Sequence, residues 1–200
     1  MSEFYTIEKK GIGIYKEKGS RFLSFALPVS SEQEIKQRLD ELRKEYFDAR
    51  HHCYAWVTGL SSQQWRANDD GEPSHSAGDP ILGQIRSLEL TNVLVVVVRY
   101  FGGTKLGVGG LISAYKTAAE YALIDSKRKK IFEEVNLMMR FQYDDLSAIE
   151  RIISELEIRV IDRDFQQDCR ITGVLKKDSV EPLRNRIKDL YNLELSIEDS

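Results

Sequence analysis

Cysteine is almost missing from this chain: Cys53 and Cys169 are the whole complement of 200 residues, and the elements read below put them in separate domains. A disulfide framework is therefore excluded, and a reducing cytoplasm is the expected location. Long apolar runs are missing as well. The longest, Val93 to Val98, falls far short of the roughly 20 residues that cross a bilayer, and the first ten residues are polar and charged with no apolar signal core, so neither secretion nor a membrane partner is expected. An excess of basic charge is also absent, with 29 Lys+Arg against 32 Asp+Glu and a net charge of −3. Residues 1–133 hold 19 basic against 17 acidic side chains and residues 134–200 hold 10 against 15, which gives +2 and −5. A balance of +2 is too weak for nucleic-acid binding by bulk charge, which needs cations clustered on one face. What remains, 42% hydrophobic and 30% charged residues, is the composition of an ordinary soluble globular protein and excludes disordered and fibrous classes.

Tyr5–Tyr15 and Arg21–Pro28 are rich in β-branched and aromatic residues and are joined by a charged turn, Lys16 to Ser20, as in a strand pair. Ser31 with Glu34 forms a capping box, and Ile35, Leu39, Leu42 and Tyr46 recur at helical spacing behind it. His52–Leu60 reads as a strand. Ser61–Pro80 has few large apolar residues and several turn dipeptides, so it is expected to be a loop, and its length favours a functional one. Pro80 is expected to open a short helix with Ile81, Leu82, Ile85 and Leu88 on one face. The branched run Val93–Val98 predicts a strand buried on both faces at the centre of a sheet, and a helix with Leu111, Tyr115, Ala118 and Ala122 on one side follows from Gly110. Lys127 to Lys130 is read as a solvated helix end and left out of the site.

Beyond residue 133 the order is strand, helix, strand, strand, helix, strand: Glu134–Tyr143, Asp144–Leu156, Glu157–Phe165, Cys169–Lys176, Asp178–Tyr191 and Leu193–Glu198. Leu146, Ile149, Ile153 and Leu156 form one helix stripe and Leu183, Ile187 and Leu190 the other, so both helices can cover one face of a four-stranded antiparallel sheet. The predicted class is α+β, with an N-terminal α/β domain at 1–133 and a ferredoxin-like βαββαβ domain at 134–200.

The sharpest feature runs from Val98-Arg99-Tyr100-Phe101 through Gly102, Gly103, Thr104, Lys105, Leu106, Gly107 and Val108 to Gly109 and Gly110, from a buried strand into a helix. Such a junction can bind anions, because unpaired N–H groups at a helix start, glycines that admit a ligand and the nearby Arg99 and Lys105 all favour negative charge. It lacks the Gly-Lys-Ser/Thr of a Walker loop and the third glycine of a dinucleotide fingerprint, so no nucleotide cofactor is expected. Glycines serving only tight packing are the equal alternative.

Asp69, Asp70 and Glu72 put three acids in four positions, a pattern that suits a hard cation or an acid/base pair, but their spacing is not that of a calcium loop and turn chemistry is favoured. His51-His52-Cys53 opens a strand, where alternate residues share a face; Cys53 is read as packing and His51 as a residue able to line a site. Lys18 and Arg21 flank the first turn and Arg66 precedes the acidic loop. They form a cationic rim with Arg99 and Lys105 only if the sheet brings them together.

Asp69-Asp70-Gly71-Glu72-Pro73, Ala77-Gly78, Val98 to Gly103, Lys105 to Gly107 and Gly109-Gly110-Leu111 resemble the YigZ/Impact family. The likeness extends to Lys18-Gly19-Ser20-Arg21-Phe22 and Ala49-Arg50-His51-His52-Cys53-Tyr54-Ala55, and the C-terminal order is similar to the smaller domain of bacterial YigZ proteins. His75-Ser76 departs from it, standing where the family pattern usually has Gly-Thr. The resemblance implies an N-terminal domain similar to the second domain of a small-subunit ribosomal protein and a C-terminal domain similar to the last domain of elongation factor G. It also implies relatives that regulate translation through protein partners without catalysis.

The expectation is a non-enzymatic, translation-associated factor with no catalytic residue, metal or cofactor. Its partner is RNA, the ribosome or a translation-related protein, reached through Lys18, Arg21, His51, Arg66, Arg99, Gly102, Gly103, Lys105, Gly107, Gly109 and Gly110. Asp69, Asp70 and Glu72 orient that site, and the acidic C-terminal domain serves as a protein-docking surface. The alternative is a metal-assisted hydrolase of a phosphorylated or nucleotide-like substrate, with the three acids as ligands or base and Arg99 stabilising the oxyanion.

Overall fold

A computed structural model describes residues 3–60, 63–166 and 168–199. The chain divides into two compact units, Phe4–Ile131 and the residues from Phe132 onward. In the first unit, strand β1 (Glu3–Ile7) is followed by β2 (Gly11–Glu17) and β3 (Ser20–Pro28). Lys18 and Gly19 link β2 to β3 with φ of 44° and 81°, the two left-handed positions of a type I′ hairpin whose twist matches its strands. Helix α1 (Glu32–Glu45) starts where the capping box predicts, since Ser31 Oγ accepts from the Glu34 N–H at 3.2 Å and the Glu34 carboxylate reaches back to the Ser30 N–H at 2.9 Å.

Strands β4 (His51–Thr58) and β5 (Gln64–Asn68), helix α2 (Gly78–Ser87), strand β6 (Val93–Tyr100), helix α3 (Gly107–Ser126) and strand β7 (Arg128–Phe132) complete this unit. Its main sheet is antiparallel throughout, in the order β2-β3-β6-β4-β5. The valine run therefore lies at the centre, buried on both faces. Val93, Val95 and Val97 pack under α2 and α3 with Phe22, Ile81, Ile85 and Tyr115. Leu94, Val96 and Val98 pack on the other face under the Ile35, Leu39 and Leu42 stripe of α1.

Four expectations change here. The first segment is two strands, because β1 pairs with β7 in a separate small sheet while only β2 pairs with β3. The basic cluster is consequently strand as well as helix end: Arg128 lies 3.5 Å over the Tyr5 ring and 3.3 Å from Glu89. The expected loop after β4 contains β5, whose single large apolar residue, Trp65, hid it from pattern reading. Ser61 and Ser62 of that loop lie outside the described residues. Helix α2 opens at Gly78, two residues before Pro80.

The second unit holds β8 (Glu134–Phe141), α4 (Leu146–Glu155), β9 (Arg159–Asp164), β10 (Cys169–Lys176), α5 (Val180–Ile187) and β11 (Glu194–Asp199). Its antiparallel sheet has the order β11-β8-β10-β9, the ferredoxin-like arrangement, so the class is α+β as expected. Ile149, Ile153 and Leu183 from the two helices meet Leu137, Met139 and Ile171 from the strands in one core.

Candidate anion-binding site

The alternation of β6 carries Arg99 onto the same face as Val93, Val95 and Val97, one step beyond the end of the valine run. Its register partners are Phe22 on β3 and His51 on β4. The Arg99 side chain is only 8% exposed and Glu72, its ion-pair partner at 2.6 Å, only 4%. The guanidinium carbon lies 5.5 Å from the Phe22 ring centre and 5.6 Å from that of Phe101. Two charges removed from water persist only when paired and hydrogen-bonded, and Tyr115 Oη completes the set by donating to the same Glu72 oxygen at 2.7 Å. Cys53 Sγ, completely buried, donates to the Asp69 carbonyl at 2.9 Å and lies 3.3 Å from Tyr115 Oη. Burial pushes both the Cys53 thiol and the Tyr115 hydroxyl well above their usual range, so both stay protonated at neutral pH and Cys53 is no nucleophile.

Glu72 reaches Arg99 because the loop before α2 is tied by its own polar groups. Asp70 and Gly71, with φ of 41° and 87°, form an Asp-Gly turn closed by the Glu72 N–H on the Asp69 carbonyl at 2.9 Å. Asp69 Oδ1 accepts the N–H groups of Ala77 and Gly78 at 2.9 and 2.8 Å, and Oδ2 that of His75 at 2.9 Å. Burial raises the Asp69 pKa, but these three N–H donors outweigh it and hold the carboxyl below its usual range. The same bonds cap α2 and start it at Gly78. Asp70 Oδ2 accepts the His52 N–H at 2.7 Å. All three acids expected to orient the site or hold a cation are thus occupied by protein donors, and among the described residues no group of three or more His, Cys, Asp or Glu could hold a metal ion.

Above the Arg99–Glu72 pair opens a cleft of about 450 Å³ lined by Arg50, His51, Pro73, Phe101, Lys105 and Leu106, together with Gly107, Val108 and Leu111 at the start of α3. Helix α3 has no side-chain cap and no acidic residue in its first turn, so the orphan N–H groups and positive end of a 20-residue helix lie at the cleft with nothing of opposite charge supplied by the helix itself. His51 Nδ1 is 2.8 Å from the Asp70 carbonyl. A carbonyl only accepts, so Nδ1 carries the hydrogen.

Of the residues singled out from sequence, His51, Glu72, Arg99, Lys105 and Gly107 line this cleft, and Gly109 and Gly110 lie in the adjoining first turn. Gly102 packs against the β2–β3 turn so closely that a Cβ there would stand 1.9 Å from the Gly19 carbonyl carbon. Lys18 lies on that turn and Gly103 follows Gly102 in the loop; neither lines the cleft. Arg21 and Arg66 do not join the site. Arg21 pairs in register with Tyr100 and stacks on its ring at 4.8 Å, and Arg66 opposes Trp56, so both belong to the α1 face of the sheet. The expected rim of five cations is therefore split by strand alternation. Arg50 and Tyr115 were missed as site residues: Arg50 precedes a strand in a polar run, and Tyr115 counts as one more apolar member of a helix stripe.

The Impact N-terminal domain profile matches residues 18–123, and the profile of a domain of unknown function, DUF1949, matches residues 139–192. The IMPACT family member YigZ of Escherichia coli K12 is 37% identical over 176 residues, covering 86% of this chain and 85% of that protein. A crystal structure described as that of a hypothetical protein is 29% identical, covers 100% of this chain and 98% of its own, and superposes with a TM-score of 0.72. Yih1, described as a two-domain translational regulator, is 28% identical, with 60% of this chain and 46% of that one covered and a TM-score of 0.39. With one family profile over more than half its length and a relative matched nearly end to end, this chain belongs to the IMPACT family.

Proposed function

We propose that the chain is a non-enzymatic, translation-associated regulatory factor that engages RNA, the ribosome or a ribosome-associated protein through the Arg/Lys and Gly-rich cleft. The observation that carries this reading is convergence: the uncapped N-terminus of α3, Arg50, Lys105 and the end of the buried Arg99 all meet in one concave surface. Oriented N–H groups together with Arg and Lys suit an anionic oxygen, and contacts of this kind position a phosphate without reading a base. Translation regulation is stated of Yih1 itself, and we carry it to this chain only as part of the proposal. Among the described residues no helix is long and apolar enough to cross a membrane. The hydrolase alternative finds little support, since the carboxylates it needs are already bound by backbone N–H groups, Arg99 and Tyr115.

Co-sedimentation with ribosomes and with RNA, at low and at moderate salt, tests the proposal. The right variants are Lys105→Ala and Val108→Glu, whose side chains are exposed, whereas replacing buried Arg99 would strand Glu72. Salt-sensitive binding weakened by both variants is the expected result. Binding untouched by either variant, or indifferent to salt, would move the contact away from this cleft.

A further inference from the structure

The charge, size and walls of the cleft define its ligand more narrowly than a generic phosphate. Its lining carries Arg50, Arg99 and Lys105 against the single carboxylate of Glu72, a balance of +2 from these four side chains. An internal phosphodiester brings one negative charge, whereas a phosphate monoester approaches two at neutral pH and offers three equivalent oxygens. Donors for three oxygens line the cleft: the first N–H groups of α3 from Gly107 onward, Arg50 and Lys105. Independently of the helix end, Arg99 has unmet hydrogen-bonding capacity, because its Nε is buried without a partner while the same guanidinium gives Nη1 to Glu72.

The remaining walls are apolar: Pro73, Leu106, Val108, Leu111 and Phe101, the last with a ring 56% exposed. A bare phosphate has no use for such a surface, but a ligand bearing a flat ring beside its phosphate does, since every base has a π-face to lay on an aromatic side chain. A volume of about 450 Å³ lies at the small end of ligand pockets and suits one such unit, while single-stranded RNA tracked along its backbone occupies about four or more nucleotides.

Resting on the anion-binding reading, we infer that the cleft is a one-nucleotide site for a phosphate monoester, taken as a free nucleoside monophosphate or as the 5′-phosphorylated end of an RNA strand. The phosphate lies at the start of α3 with Arg50, Lys105 and Arg99 around it, and the base lies against Phe101 and Pro73.

Fluorescence anisotropy with a short 3′-labelled RNA, prepared with a 5′-phosphate or a 5′-hydroxyl and titrated with the full chain, tests this, with AMP as competitor. Phosphorylated RNA is expected to bind at least about tenfold more tightly than its hydroxyl twin, in line with the strength of charge-assisted hydrogen bonds. Phe101→Ala should weaken it, Val108→Glu should abolish the difference, and AMP should compete. AMP binding that Val108→Glu removes, with the two RNAs indistinguishable, would support the monoester site and assign it to free mononucleotides. Equal affinity for both RNAs with no effect of AMP would overturn the inference and leave the backbone-phosphate reading standing. No binding of either RNA or of AMP would overturn the inference and remove free RNA from the proposed function, leaving the ribosome or a protein partner.

Discussion

Replacing Asp69 by alanine removes the acceptor of three backbone N–H groups, those of His75, Ala77 and Gly78. The site is partly buried and α2 has no other side-chain cap, so water can satisfy these donors only in part. At about 1 kcal/mol net for each bond, which also covers the lost cap, the substitution should cost about 3 kcal/mol, or roughly 10 °C in melting temperature for a unit of this size. Both tryptophans, Trp56 and Trp65, lie in this unit, so fluorescence-detected urea unfolding reports on it specifically. Asp69→Asn keeps an acceptor for Ala77 and Gly78 but opposes an amide donor to the His75 N–H, so it should fall between alanine and wild type. Because the folded-state pKa of Asp69 is lowered, its contribution is complete above the unfolded value near 3.8 and is lost as pH falls through the folded one. The gap between wild type and Asp69→Asn should therefore not narrow between pH 7 and pH 5, where protonation of His75 beside Asp69 only adds to it, and should close only in stronger acid. A loss below about 1 kcal/mol for alanine, or a gap that closes between pH 7 and 5, would refute this account of how the loop is held.

Glu72→Gln leaves Arg99 buried beside a neutral partner and should cost about 3 kcal/mol in urea unfolding, while raising the charge of the cleft to +3 and tightening anion binding in the same protein. Stability and affinity moving the same way would contradict that. Gly102→Ala drives a methyl into the Gly19 backbone, so it should destabilise by more than about 2 kcal/mol and shift the amide signals of the β2–β3 turn; a neutral effect would mean that turn and loop do not touch. The His75 ring, hydrogen-bonded to Asp79 at 2.6 Å, has a raised pKa, so its stabilisation is complete below its unfolded value of 6.5 and fades as pH rises through the folded one. Wild type should therefore lead His75→Gln in thermal unfolding at pH 5.5 and match it at pH 9.

How much of this was legible in the sequence depended on whether one local pattern decided the outcome. The valine run allowed only a doubly buried strand, Ser31 with Glu34 fixed the start of α1, and the two helical stripes after residue 144 required one sheet face. β5 and the β1–β7 pair were not legible, because short polar strands are made by their neighbours and not by their own residues. The site divided in the same way. Arg99, Lys105 and the glycines announced themselves by crowding at a strand-to-helix junction. Whether Arg21 and Arg66 joined them depended on strand parity, which a one-residue shift of register reverses, and strand ends are the least certain part of a sequence reading. Asp69 drew notice as a possible ligand, but only the fold shows its carboxylate closing on Ala77 and Gly78. His75 could not be read from the sequence either: φ is 64° there, a conformation glycine adopts freely, and only the fold shows the ring bonded to Asp79.

The central claim is that an anion lodges at the start of α3 above Arg99. Nitrogen–proton correlation NMR during titration with inorganic phosphate, at constant ionic strength, tests it most directly. The account predicts saturable shifts of the Gly107, Val108 and Gly109 amides and of the Arg99 Nε–H, all suppressed in Val108→Glu. Shifts confined to Lys127 to Lys130 or to the second unit, or none that saturate, would contradict it.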